Sequence, residues 1–118
     1  MILLVEDEAI TRHAFADALR REGHQVIEAA DGIQARSLLD EWHFDLVITD
    51  LVMPRLNGFE LVDQIRSKWP HIPILLISAF MSQHAGEIIS NGSAKFIQKP
   101  IDPPYLIATV QRLLSTSH

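Results

Sequence analysis

The chain has 118 residues, 47% hydrophobic and 21% charged, which is enough apolar content for one domain with a real core and too much for a disordered segment. Its net charge of −5 argues against nonspecific nucleic-acid binding, and the absence of cysteine excludes a disulfide framework, a thiolate zinc site and a catalytic thiol. No apolar run approaches the ~18 residues of a membrane span. Met1-Ile2-Leu3-Leu4-Val5 is too short and too soon acidic for a signal peptide, so the chain reads as a soluble cytoplasmic protein with one domain over residues 1–118.

Short runs rich in Val, Ile and Leu alternate with amphipathic stretches of helical length, the pattern of successive βα units. A first strand over about residues 2–6 runs into Glu6-Asp7. The first helix, about 9–22, is expected to turn Ile10, Ala14, Ala18 and Leu19 inward and to stop at Gly23. A second strand spans about 25–29. Asp31-Gly32 then makes a turn into a helix over about 33–42 that buries Leu38, Leu39 and Trp42. The third strand, about 45–50, is apolar on successive residues, as expected where helices cover both faces of a sheet, and it ends on Asp50. After a loop from Leu51 to Asn57, a third helix over about 58–68 places Phe59, Val62 and Ile65 on one side.

A fourth strand over about 73–78 ends on Ser78. A fourth helix is expected over about 82–91, anchored by Ile88 and Ile89 and ended by Gly92. A fifth strand over about 94–98 leads into Lys99-Pro100. Pro103 and Pro104 open the fifth helix, where proline is tolerated in the first turn. Its apolar stripe is Leu106, Ile107, Val110, Leu113 and Leu114. Five βα units in this length predict an α/β fold, a doubly wound (βα)5 three-layer sandwich. The natural choice is the flavodoxin-like parallel order 2-1-3-4-5, with its switch point between strands 1 and 3. Ligands of such sheets bind outside the carboxyl ends of the strands, so three acids, a hydroxyl and a lysine would converge there. None of the six histidines falls at a close metal-ligand spacing.

The segment Leu4-Val5-Glu6-Asp7-Glu8, the stretch Asp50…Met53-Pro54…Asn57-Gly58, Ser78-Ala79 and Lys99-Pro100 stand in order, each after its own strand. Together they resemble the receiver domain of bacterial response regulators, similar to the chemotaxis response regulator, over essentially the whole chain. The resemblance implies a phosphorylation switch of a two-component system. Asp50 would accept a phosphoryl group as an acyl phosphate. Asp7 and Asp50 would ligate Mg²⁺ directly, Glu6 through water, and the backbone carbonyl of Val52 would contribute.

By the same resemblance Lys99 would pair with the phosphoryl group or with Asp50, after a cis bond to Pro100. Ser78 would donate its hydroxyl to a phosphoryl oxygen, and Phe96 would be the switch aromatic. The donor would be a sensor histidine kinase or a histidine phosphotransfer protein. The face of the fourth helix, fifth strand and fifth helix would change shape and could pair two copies as a homodimer. The domain would be a signalling module that assists its own phosphorylation and dephosphorylation, not a conventional enzyme. Val52 and Phe80, at the positions that tune dephosphorylation in the family, are apolar and predict slow loss of phosphate.

The alternatives make different demands. A pseudo-receiver usually lacks one of the acids or the lysine, and all are present here. An aspartate-nucleophile phosphatase requires a second aspartate at position 52, which is valine. A flavodoxin needs a phosphate-cradling first loop, and here that loop is acidic. Taken singly, each residue also has a plain role: Asp7 and Glu8 as helix caps, Ser78 as a local turn hydroxyl, Lys99 as a solvated lysine and Phe96 as a core side chain.

Overall fold

In a computed structural model, residues 1–51, 58–79 and 94–116 are described. Their elements are β1 (Ile2–Val5), α1 (Ala9–Arg21), β2 (Val26–Ala29), α2 (Gly32–Glu41), β3 (Leu46–Asp50), α3 (Gly58–Lys68), β4 (Ile74–Ser78), β5 (Lys95–Gln98) and a C-terminal helix, α4 (Pro103–Thr116). The helix expected over 82–91 lies outside the described residues.

The strands form a five-stranded sheet in the order β2-β1-β3-β4-β5, and every neighbouring pair is parallel. Side chains alternate across a strand, so β1 feeds two cores at once. Leu3 and Val5 join Ala35 and Leu39 of α2 and Leu61, Val62 and Ile65 of α3. Ile2 and Leu4 join Phe15, Ala16 and Leu19 of α1 and Leu106 and Val110 of α4 on the other face. Burial on both faces is why β1, β3 and β4 read as nearly unbroken apolar runs.

One local expectation holds and one is corrected. Gly23 follows α1 with φ of 93°, a left-handed conformation that suits glycine at a helix end. Asp31 acts as the N-cap of α2, accepting from the Gln34 N–H at 2.8 Å, so Gly32 opens the helix and is not part of a separate turn.

Two helical faces differ from the expected phase. Ile10 is 79% exposed and Ala14 is also exposed, while Phe15 and Ala16 are buried beside Ala18 and Leu19. The inward stripe of α1 is set by its contact with β1 and α4, and Ile10 and Ala14 instead line an apolar hollow of about 540 Å³ with Pro100 and Ile101. Trp42 is 50% exposed because α2 ends at Glu41 and the chain turns away. Phe44 enters the core in its place.

A compact ion-pair cluster ties α1 to β2. Glu28 receives Arg12 Nε at 3.2 Å and Arg20 Nη1 at 3.1 Å, and His13 Nδ1 lies at 2.7 Å. Burial by itself would raise the Glu28 carboxyl, but Arg20 and His13 outweigh it and hold the group below its ordinary 4.5. A depressed carboxyl stabilises the fold above its unfolded pKa, and that contribution fades as pH falls through the folded value. Glu28→Gln is expected to cost about 1–2 kcal/mol at pH 7. In urea titrations the gap to wild type should close below pH 4.5. A gap that stays constant into acid would refute the ionic account.

Candidate functional site

The carboxyl ends of β1, β3, β4 and β5 gather the expected residues at one edge of the sheet. Asp50 closes β3 opposite Ile77, and Ser78 closes β4 opposite Gln98. The Lys99 N–H donates to the Ser78 carbonyl at 2.7 Å, so the lysine leaves β5 still tied to β4. Its side chain then reaches across the strand ends. Lys99 Nζ donates to Asp50 Oδ2 at 2.6 Å and to Glu6 Oε1 at 2.5 Å, joining residues 49 and 93 positions apart in sequence. The Lys99–Pro100 peptide is cis.

Glu6 is fully buried, Asp50 and Ser78 nearly so, and Asp7 is exposed at the mouth. Carboxylate oxygens of Glu6, Asp7 and Asp50 lie within 4.8 Å of one another. Among the described residues this is the one group of three acidic or imidazole side chains close enough to hold a cation.

Electrostatics at this edge are high in cost. Burial, together with the neighbouring Asp50 charge, raises the Glu6 carboxyl above its ordinary value, and the Lys99 hydrogen bond works against that rise. For Lys99, burial disfavours the ammonium, but Asp50 and Glu6 overcome it and the net shift is upward. The Lys99 ammonium therefore stays charged at neutral pH between its two acids.

Glu8 belongs to the helix. Its carboxylate accepts from the Thr11 N–H at 2.6 Å and the Ile10 N–H at 3.2 Å, which caps α1 and lowers its pKa, chiefly through Thr11. Phe96 is half-buried against the core on the α2–α3 side and borders a cleft of about 120 Å³ with Tyr105 and Leu113. Val52, Asn57 and Phe80 lie outside the described residues, as do Ile88 and Ile89, and with them the expected Val52 carbonyl ligand and the two apolar positions expected to slow loss of phosphate.

Two contacts were invisible in the sequence. The Glu6–Lys99 pair depends on the Lys99 side chain reaching from the end of β5 past β4 and β3 to the end of β1, which no local pattern records. Arg12 Nη1 donates to the Glu6 carbonyl at 2.9 Å while its Nε holds Glu28. The one hint was a cation a single turn beyond the acidic motif.

Gly58 permits the close approach behind the site. A Cβ there would meet the Asp50 carbonyl oxygen and lie 2.6 Å from Leu51 Cα, both backbone atoms with little room to yield. Gly58→Ala is expected to destabilise by about 2–3 kcal/mol in urea unfolding, because the start of α3 must move off the end of β3. A loss under about 0.5 kcal/mol would mean the contact relaxes freely.

The geometry has counterparts among known proteins. The family model of the response regulator receiver domain matches residues 2–111. The chain is 35% identical over 112 residues to the response regulator protein FleR of Pseudomonas aeruginosa, covering 94% of this chain and 24% of that protein. It is 29% identical over 116 residues to the polar-differentiation response regulator DivK of Brucella ovis, covering 96% and 94%. The chain thus spans about a quarter of the one relative and nearly all of the other. A receiver domain from Methanospirillum hungatei superposes with a TM-score of 0.93 at 23% identity, over 98% of this chain and 94% of that one, which establishes the fold. No helix among the described residues is long and apolar enough to cross a membrane. With the family model spanning nearly the whole chain and the CheY-like strand order in place, this protein belongs to the receiver domains of response regulators in two-component systems.

Proposed function

We propose that the chain is a phosphoacceptor switch that takes a phosphoryl group from a phosphohistidine onto Asp50. The observation that carries this reading is the Lys99 ammonium held by Asp50 and Glu6 at the carboxyl edge of the sheet. An Asp50 oxygen attacks phosphorus, the phosphorus–nitrogen bond of the donor breaks, and its imidazole leaves with the electron pair. Lys99 balances the negative charge that arrives with the phosphoryl group. The Ser78 hydroxyl turns to donate to a phosphoryl oxygen, and Phe96 moves inward in the phosphorylated state. These contacts favour one of two existing conformations, which is how a local charge becomes a change of surface.

Glu6, Asp7 and Asp50 fit a divalent cation by donor chemistry, since hard carboxylate oxygens suit Mg²⁺ and three of them converge. When bound, Mg²⁺ would offset the charge of the acids and of the phosphoryl oxygens. Asp7 and Asp50 would be its direct protein ligands, with Glu6 acting through water and the Val52 carbonyl completing the set. The donor would be a sensor histidine kinase or a histidine phosphotransfer protein, the setting the cytoplasm, and phosphorylated copies would pair through the face that includes β5 and α4. The chain acts as a signalling module that assists its own phosphorylation and dephosphorylation.

Metal binding should register as stability, because clustered acids repel one another until a cation is present. At ten times its dissociation constant, Mg²⁺ should add about 1.4 kcal/mol, or about 3–6 °C in melting temperature. A flat melting curve up to tens of millimolar would count against the pocket. The decisive test is intact mass after incubation with acetyl phosphate and Mg²⁺, beside a chelator control. Gain of a single phosphoryl group that the chelator prevents supports the reading. A folded protein that neither gains mass nor binds beryllofluoride would instead be a pseudo-receiver.

A further inference from the structure

We propose that Arg12 is a positioning residue for the cation pocket, fixing the turn that carries Glu6 and Asp7 through its hydrogen bond to the Glu6 carbonyl. This inference rests on the pocket reading given under Proposed function. The turn is held from several sides. The Glu6 N–H makes the last contact with the β2 side, donating to the Ala29 carbonyl at 3.0 Å, and beyond it the chain leaves the sheet. The Glu8 N–H donates back to Glu6 Oε2 at 3.3 Å, and the Glu8 side chain is committed to capping α1. The Glu6 carbonyl between these points is held by Arg12 Nη1 at 2.9 Å. Asp7, the exposed acid of the three, hangs on the peptide that begins at this carbonyl.

Arg12 is itself braced. Its side chain is only 14% exposed, and its Nε is fixed on Glu28 at 3.2 Å. The planar fork lets one side chain grip a carboxylate and a carbonyl at once, which a lysine ammonium on a flexible stem does less rigidly. Glu28 is in turn gripped by Arg20, which also donates to the Val26 carbonyl at 2.8 Å. The two arginines thus share one carboxylate but brace different backbone points. Arg20 holds β2, and Arg12 holds the acid-bearing turn.

Charge and position predict opposite signs. A fixed cation near the pocket repels Mg²⁺, so if Arg12 acted only as a charge, its removal would tighten metal binding. If it acts by holding the turn, removal lets Glu6 and Asp7 drift and weakens binding. Groups that orient ligands from behind are worth about 10–100-fold in metal affinity.

The test is calorimetric titration of the whole chain with MgCl₂ alone, for wild type, Arg12→Ala, Arg12→Lys and Arg20→Ala, with metal-free melting temperatures alongside. Arg12→Ala is expected to bind Mg²⁺ about tenfold more weakly, with Arg12→Lys in between. Arg20→Ala should lower the metal-free melting temperature while leaving Mg²⁺ affinity unchanged, which separates positioning from a loosened fold. If Arg12→Ala does not fold, Arg12→Lys carries the comparison against Arg20→Ala. Wild-type affinity, or tighter binding, in the Arg12 variants overturns the positioning role while leaving the pocket intact. Absence of Mg²⁺ binding to wild type removes the pocket reading and this inference with it.

Discussion

Asp50→Asn protein is expected to gain no phosphoryl group from acetyl phosphate and Mg²⁺ under conditions in which wild type gains one. Asparagine keeps the shape of the side chain but replaces an anionic oxygen with an amide, which is far too weak a nucleophile to attack phosphorus. The fold should survive. Asp50 contributes to the raised Glu6 carboxyl, so removing its charge relieves repulsion in the same pocket. Lys99 would lose one partner and keep Glu6. The melting-temperature gain with Mg²⁺ should also shrink, since one of three converging acids is gone. Metal-dependent phosphoryl uptake by Asp50→Asn would instead move the acceptor to another carboxylate, with the exposed Asp7 the first to test.

The second large effect is expected from Lys99→Met, which keeps the stem and removes the ammonium. Two carboxylates then face each other, one of them fully buried, with no cation between. Breaking a buried pair by deleting one partner costs about 3–5 kcal/mol. Lys99 is a quarter exposed and Glu6 can protonate, so about 1–3 kcal/mol is expected at pH 7.

The pH dependence has a definite sign. Glu6 is raised above its ordinary 4.5, so its ionisation opposes folding as pH rises through and above that value. Lys99 restrains the rise, and without it the Glu6 carboxyl moves further up. The penalty of Lys99→Met should therefore be large at pH 7 and shrink as pH falls toward 4.5. Lys99 contributes the reverse edge: its stabilisation is complete below 10.5 and is lost as pH climbs through its raised folded value. Chemical denaturation from pH 4.5 to 8 checks the acid edge, and a penalty independent of pH would rule out Glu6 as the source. Phosphoryl uptake from acetyl phosphate should slow by about 10²-fold or more, the usual cost of losing a preorganised group that meets developing charge. An unchanged rate would remove Lys99 from the chemistry.

Sequence by itself determined the layers and the topology. Apolar runs at β1, β3 and β4 read as strands covered on both faces, and their alternation with helical stretches makes one parallel sheet with its acids at the switch point the natural choice, which the strand order bears out. Glu6, Asp7, Asp50, Ser78 and Lys99 were legible as a set because each closes a strand or follows one within two residues, and strand ends share one edge of a parallel sheet.

Only the tertiary structure decided which side chains meet. Helical periodicity leaves the phase of a helix open, and α1 settled with Phe15 and Ala16 inward and Ile10 outward because its contacts with β1 and α4 outweigh the burial of one more aliphatic side chain. Trp42 stayed outside because Phe44 filled the same core. The Lys99 bridge to Glu6 and the Arg12 grip on the Glu6 carbonyl arise where chain segments converge in space. Sequence spacing carries no record of such contacts, since electrostatics acts through distance and not through order along the chain.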